Sequence, residues 1–385
     1  MKLCCFHLMP WTHLPADFAE RHPSVWVDVD PTLFDPRLGH ALYNEFLDEL
    51  ELAAEIGFDG VCVNEHHANA YGLMPSPNLL AAALARRTRR AALVVMGASL
   101  ALYNPPIRVA EEFAMIDCLS GGRLVAGFPV GTPMDTCYAY GRDPSSLRDR
   151  YHEAHDLIVR AWTERMPFTF HGRWNQLRYV NVWPRPLQTP HPPIWIPGGG
   201  SVETWHWCAE RDYVYCYLSY FGYRAGEKTM RGYWREMDRL GKDRNPYRAG
   251  FLQFVGVAET KAEAMKLYRE PAEYFYGRCL HVDPRFAAPP GYMTEGSLRA
   301  KAESMVARAA RSSRRDTGDH AITFDRIVDE GYVIVGNPDE VADKIREVAT
   351  ALNVGQLMLL CQFGNMSHDL AMYNIELFAR RVAPQ

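Results

Sequence analysis

The stretch Gly39-His40-Ala41-Leu42-Tyr43-Asn44-Glu45-Phe46-Leu47-Asp48-Glu49-Leu50-Glu51-Leu52-Ala53-Ala54-Glu55-Ile56-Gly57-Phe58-Asp59-Gly60-Val61-Cys62-Val63-Asn64-Glu65-His66-His67 holds one complete helix-to-strand unit. Leu42, Phe46, Leu50 and Ala53 recur at helical spacing, so one apolar stripe faces a core. The pattern stops at Ile56, and Gly57 is the residue type that accepts the left-handed conformation closing a helix. A β-rich run, Gly60–Asn64, follows, and three ionisable side chains stand directly at its end.

Outward from this unit the same rhythm repeats. Leu3–Leu8 reads as the strand before it. Pro77–Arg90 reads as an alanine-rich helix, Ala92–Leu102 as a strand, Pro106–Leu119 as a helix stopped by Ser120-Gly121-Gly122, Leu124–Phe128 as a strand and Ser145–Thr163 as a long amphipathic helix. Strand then helix, with little room for hairpins, predicts a parallel sheet. The alternation breaks at Phe168–Trp183, an aromatic-rich extended excursion ending in Pro184, Pro186, Pro190, Pro192 and Pro193. It resumes with Ile194–Pro197 and a helix from about Val202, then Tyr213–Ser219, a helix to Leu240, Phe251–Ala258 and a helix from Lys261. The final units run from Tyr332–Val335 through Pro338–Leu352 to Gln356–Gln362 and a last helix to Arg381. About eight strand–helix units predict an α/β fold of the (β/α)8 TIM-barrel type in one domain over 1–385. Insertions fall at about 168–193 and 278–320. Both are expected to act as lids, the second carrying the basic stretch Arg308, Arg311, Arg314 and Arg315.

Composition narrows the function. The 385 residues carry 42 Lys plus Arg against 46 Asp plus Glu, a net charge of −4, too balanced for a nucleic-acid or membrane-surface binder. No apolar run reaches the ~18–20 residues of a membrane span, and the N-terminus lacks a secretory apolar segment. Nine scattered cysteines with no CxxC pair predict reduced thiols and a cytoplasmic location, with Cys4 and Cys5 as buried small hydrophobes. There is no strand-linked GxGxxG, no P-loop and no GxSxG elbow. His152-Glu153-Ala154-His155 is one residue short of HExxH and reads as the solvated face of a helix.

Three groups of residues carry chemistry. Glu65, His66 and His67 sit at a strand's C-terminal end, where parallel barrels place their active sites. A carboxylate with imidazoles there suits proton transfer near neutral pH; alternatively Glu65 pairs with a core arginine and the histidines cap the strand. A metal reading is poorer, because adjacent histidines on extended chain face opposite ways. Next, Ile194-Trp195-Ile196-Pro197-Gly198-Gly199-Gly200-Ser201 runs into a helix with Thr204 in its first turn. Exposed amides, the helix dipole and the Ser201 hydroxyl suit one phosphate, while the alternative is a plain turn with Ser201 as N-cap. Arg148, near the start of the helix after the fourth strand, either completes a phosphate clamp or is an ordinary surface arginine.

Ordered marks along the chain resemble the bacterial luciferase-like flavin-dependent monooxygenase family. They are Gly57-Phe58-Asp59-Gly60 leading to Glu65-His66-His67; Met74-Pro75-Ser76-Pro77-Asn78; Asn104-Pro105 with Arg108-Val109-Ala110-Glu111-Glu112; and Asp117-Cys118-Leu119-Ser120-Gly121-Gly122-Arg123. Trp183-Pro184-Arg185-Pro186 and His191-Pro192-Pro193-Ile194-Trp195-Ile196-Pro197 continue the series. The resemblance implies a barrel binding reduced FMN (FMNH2) from a separate flavin reductase, with O2 as co-substrate and oxygenation through a C4a-peroxide or hydroperoxide of the flavin. It implies His66 as catalytic base or proton donor, backed by Glu65 and beside His67. The phosphate is expected at Gly199, Gly200, Ser201, Thr204 and Arg148, and the ring at Gly97-Ala98 across a non-proline cis peptide. A homodimer or homotetramer packing through early helices such as Pro77–Arg90 is also implied. The run Phe128-Pro129-Val130-Gly131 departs from the family, with Val130 where a second phosphate-binding arginine is expected. Two alternatives are an F420-dependent oxidoreductase of the same superfamily and a non-catalytic flavin-binding protein. The least favoured is a metal hydrolase on a barrel.

Overall fold

A computed structural model describes residues 1–218, 220–299, 302 and 322–385. Its strands are β1 (Lys2–Phe6), β2 (Gly60–Val63), β3 (Ala92–Val95), β4 (Leu124–Gly127), β5 (Phe168–His171), β6 (Gln176–Val180), β7 (Ile194–Gly198), β8 (Val214–Tyr217), β9 (Ala249–Val257), β10 (Val333–Gly336) and β11 (Gln356–Leu360). Eight of them close a parallel ring in the order β1-β2-β3-β4-β7-β8-β9-β11 and back to β1. β10 adds to the far half of β9, from Val333 opposite Phe254 to Gly336 opposite Val257. The helix between successive strands turns each one parallel to the last, which produces the predicted barrel.

Each ring strand is covered on both faces. All nine residues of β9 and all four of β2, β4 and β10 are buried, matching their near-continuous apolar sequences. The helices show why they start and stop. Pro36–Glu55 is capped by Asp35, whose carboxylate accepts the Arg37 amide, and buries Leu42, Phe46, Leu50 and Ala53 on one face. Ile107–Ser120 ends on Gly121 at φ +71, the left-handed closure its glycine pair suggested. Among the described residues no helix is long and apolar enough to cross a membrane.

Three expectations change. The predicted strand Ala92–Leu102 ends at Val95, and a short 3-10 turn occupies Leu100–Leu102. The chain turns away because Ala98 adopts φ +62 just past the last sheet bond, Met96 N to Val63 O at 2.7 Å. The 168–193 insertion is an antiparallel hairpin, β5 with β6, fixed to the flank of the Leu147–Thr163 helix. Glu153 accepts the amides of Arg173, Trp174 and Asn175 at its turn, and Arg160 stacks on Phe168 at 3.9 Å. These contacts hold it beside the barrel, not across its mouth. The supposed solvated face of that helix is therefore packed. Glu153 anchors the hairpin, His155 is buried between Asp156 and Tyr213, and His152 stacks on Trp207 at 5.2 Å. The described part of the second insertion does reach the mouth, where the Tyr292 hydroxyl donates to Gly131 O at 2.7 Å. The basic stretch at Arg308, Arg311, Arg314 and Arg315 lies outside the described residues.

Candidate active site at the barrel mouth

His66 leaves β2 with its backbone amide on Met74 O at 3.1 Å. Its Nδ1 lies 2.9 Å from Oδ2 of Asp135, which stands on a π-helical turn, Met134–Ala139, just after β4. Oδ1 of the same carboxylate accepts the His67 amide at 2.8 Å, and the Thr132 hydroxyl donates to Oδ2 at 3.0 Å. Burial pushes the Asp135 carboxyl upward, but His66, the His67 amide and Thr132 outweigh it and hold it below its ordinary range. An ionised Asp135 can only accept, so Nδ1 of His66 carries the hydrogen and Nε2 is the ring nitrogen left to exchange a proton. No described residue hydrogen-bonds that nitrogen. Trp26 packs edge-on to the His66 ring at 5.4 Å, Tyr71 meets it at 4.8 Å, and Trp26 stacks on Tyr71 at 4.1 Å. The imidazole thus faces an apolar wall that limits water around it.

Glu65 does not back His66. Its Oε2 accepts the Ser99 amide at 2.5 Å, and its Oε1 accepts the Tyr103 hydroxyl at 2.7 Å and lies 3.1 Å from His67 Nε2. Burial first, and Glu65 second, push the Tyr103 phenol upward, so it stays a donor to this carboxylate. Glu65 and His67 therefore lace the end of β2 to the segment after β3, with no arginine involved. Residues on consecutive extended positions project oppositely, so Glu65 and His67 share one side while His66 turns to the other.

The Gly97–Ala98 bond is trans. The cis bonds among the described residues are Asn104–Pro105, Trp183–Pro184 and Thr189–Pro190. A non-proline cis bond costs ~3–4 kcal/mol, and here the reversal is made instead by Ala98 at positive φ. Gly97 is pressed beneath Glu65: a Cβ on it would stand 2.8 Å from both Glu65 Cβ and Pro77 Cγ.

Across the mouth, the turn after β7 brings the other predicted residues together. Arg148 Nη2 donates to Ser201 Oγ at 3.0 Å, joining residues 53 apart in sequence. The Ser201 hydroxyl makes no capping bond to the Val202–Glu210 helix; it donates to Glu203 Oε2 at 2.8 Å. Gly200 has φ +97, and a Cβ on Gly199 would meet nothing within 4 Å, so this backbone is open to an approaching group. Thr204 is buried, its methyl 3.8 Å from where a Gly198 Cβ would stand. Val130, as the sequence showed, adds no cation. Two further polar groups lie at strand ends flanking β1. Asn64 Oδ1, directly after β2, and both amide atoms of Gln362, two residues past β11, are buried without partners. Among the described residues, no three His, Cys, Asp or Glu side chains group as metal ligands.

Sequence reasoning missed Asp135 and Glu203. Thr132-Pro133-Met134-Asp135 offers no periodicity that singles out the acid, and only its position after a strand end could have flagged it.

The fold agrees with comparisons to known proteins. A model of the luciferase-like monooxygenase family matches residues 29–353. The uncharacterized protein y4wF of Sinorhizobium fredii is 35% identical over 175 residues, 44% of this chain and 50% of that protein, so the match spans half its length. The 4-hydroxyprotoasukamycin monooxygenase of Streptomyces nodosus subsp. asukaensis is 26% identical over 342 residues, 88% of this chain and 86% of that protein. The oxygenating constituent of 3,6-diketocamphane monooxygenase from Pseudomonas putida, solved in complex with FMN, superposes with a TM-score of 0.74 at 19% identity, covering 100% of this chain and 98% of that one. That last likeness is one of fold. With the family's pattern spanning most of a closed parallel barrel, the chain belongs to the luciferase-like monooxygenases, a family of flavin-dependent oxidoreductases.

Proposed function

We propose that this protein is the oxygenase component of a two-component monooxygenase, using reduced FMN from a separate reductase and O2 to oxygenate a small organic molecule. The observation that carries this reading is the Arg148–Ser201 contact at 3.0 Å on an open glycine turn at the barrel mouth. A guanidinium and a hydroxyl, beside a glycine backbone that is sterically open at Gly199, form a donor set suited to a phosphate monoester. The unpartnered Asn64 and Gln362 groups support the same reading, since buried amides ordinarily find partners and a heterocycle with donors and acceptors on its edge would supply them. Gly199, Gly200, Ser201, Thr204 and Arg148 would hold the tail.

The bound reduced flavin supplies the electrons that activate oxygen. This chain's part is to orient, exclude water and move a proton. His66 accepts or returns that proton at Nε2, while Asp135 holds Nδ1–H and stabilises the imidazolium when it forms. Trp26 and Tyr71 keep bulk water from the ring. Glu65 and His67 fix the backbone on which His66 rides. We place the protein in the cytoplasm, a reading supported by nine cysteines that are all free thiols. A homodimer or homotetramer through the early helices is supported by exposed Leu79, Met115 and Leu119.

Anaerobic titration with reduced FMN and, separately, reduced F420 tests the assignment. Saturable binding of reduced FMN, followed by faster oxygen consumption than free reduced flavin gives, is expected. Preference for reduced F420, with hydride transfer to a substrate in the absence of oxygen, refutes it in favour of a dehydrogenase on the same barrel. Reduced FMN that binds without changing oxygen uptake in any way points to a flavin-binding protein without catalysis.

A further inference from the structure

The turn after β7 already holds an anion, and it belongs to the chain. The Glu203 carboxylate accepts the Ser201 hydroxyl at 2.8 Å and the Ser297 hydroxyl at 2.8 Å on Oε2, and the Thr294 hydroxyl on Oε1. One hydroxyl from its own turn and two from the distant 294–297 segment converge on this side chain, and Ser297 is buried in doing so. Burial pushes the Glu203 carboxyl up, but Thr294, its own amide, Ser201 and Ser297 more than offset this and hold it below its ordinary range, so it is charged at neutral pH. Arg148 stands behind Ser201 and, among the described residues, forms no ion pair of its own. The side chains at the turn thus sum to one positive and one negative charge, and Val130 adds nothing.

We propose that Glu203 sets the phosphate discrimination of this turn: its carboxylate and a flavin phosphate are alternative occupants of the Ser201 and Arg148 donors. The inference rests on the reading of the turn as the flavin's phosphate site. Two anions cannot share these donors without strong repulsion, because like charges a few ångströms apart in a partly buried site are poorly screened. A phosphate therefore enters only as Glu203 swings out, which breaks its bonds to Ser201, Thr294 and Ser297 and releases the 294–297 segment from the mouth. A built-in competitor of this kind makes the hold on the phosphate weak and the exchange of flavin easy, which suits a cofactor delivered by another protein at each turnover.

The test is equilibrium binding of FMN and of riboflavin, which lacks the phosphate, to the full chain and to Glu203→Gln, Glu203→Ala and Arg148→Ala, with thermal melts confirming that each variant is folded. Glu203→Gln and Glu203→Ala are expected to bind FMN about tenfold more tightly than the parent, with riboflavin unchanged within about twofold. Arg148→Ala weakens FMN alone. Unchanged or weaker FMN binding by both Glu203 variants overturns the inference, and if Arg148→Ala still weakens FMN selectively, the phosphate site itself stands. If FMN and riboflavin bind alike to the parent and to Arg148→Ala, the turn receives no phosphate, and the inference falls together with that reading.

Discussion

Replacing Asp135 by Asn separates the charge of the His66 partner from its shape. The native carboxylate is 2% exposed and takes three bonds, from His66 Nδ1 at 2.9 Å, the His67 amide at 2.8 Å and the Thr132 hydroxyl at 3.0 Å. Asparagine retains one oxygen, which keeps the His67 amide. Its NH2 then faces His66 Nδ1–H, donor against donor, unless the ring moves its hydrogen to Nε2 and accepts at Nδ1. A hydrogen bond to a charged group contributes about 1.5–3 kcal/mol, so the variant loses about that much stability. At one decade per about 1.4 kcal/mol, turnover falls roughly ten- to hundredfold if His66 works as a base through Nε2. Because the folded-state pKa of Asp135 is lowered, its contribution is fully present above the unfolded value near ~3.9 and fades as pH falls through the folded one. The stability gap between parent and variant therefore closes below about pH 4. The decisive assay is the ring 15N spectrum of selectively labelled histidine, in which His66 is expected as the Nδ1–H tautomer in the parent and as Nε2–H in Asp135→Asn. If the Nδ1–H signal persists in the folded variant, the pairing does not set the tautomer. A switched tautomer with unchanged turnover removes His66 Nε2 from the mechanism.

Other perturbations read different parts of the molecule. Glu49, fully buried, bridges His7 at 2.8 Å and His368 at 3.0 Å, tying β1 and the last helix to the Pro36–Glu55 helix. The hydrogen bond to Glu49 raises the His368 pKa against partial burial, and Glu45 and Asp48 add to the effect. A raised folded-state pKa stabilises fully below the unfolded value near ~6.5 and is lost as pH rises through the folded one, so His368→Gln costs up to about 1 kcal/mol at pH 6 and less at pH 9 by chemical denaturation. A cost that is the same at both pH values would mean that His368 acts only by packing. Leu79 and Met115, 71% and 50% exposed on neighbouring helices, present an apolar face. On the proposed packing through this face, Leu79→Glu with Met115→Glu is expected to convert a homo-oligomer to monomer in sedimentation, and a parent that already sediments as monomer, or a double variant that stays oligomeric, refutes that packing.

The sequence by itself settled the architecture and the strand and helix ends from which the candidate residues project. Apolar spacing at Leu42, Phe46, Leu50 and Ala53, then a short β-rich run, is a local pattern, and local patterns repeated along a chain leave few ways to bury every strand. It also placed His66, Ser201 and Arg148 at strand and helix ends, because in a parallel barrel position along the strand decides which end of the molecule a residue reaches. Which side chains meet there was not legible. Asp135 lies 69 residues from His66, Glu203 shares its oxygens with hydroxyls more than 90 residues away, and Glu65 turned from the neighbour it was expected to support. The Gly97–Ala98 turn likewise took positive φ in place of a cis bond. Hydrogen-bond partnership depends on distances of a few tenths of an ångström between remote segments, and only closure of the ring brings those segments together.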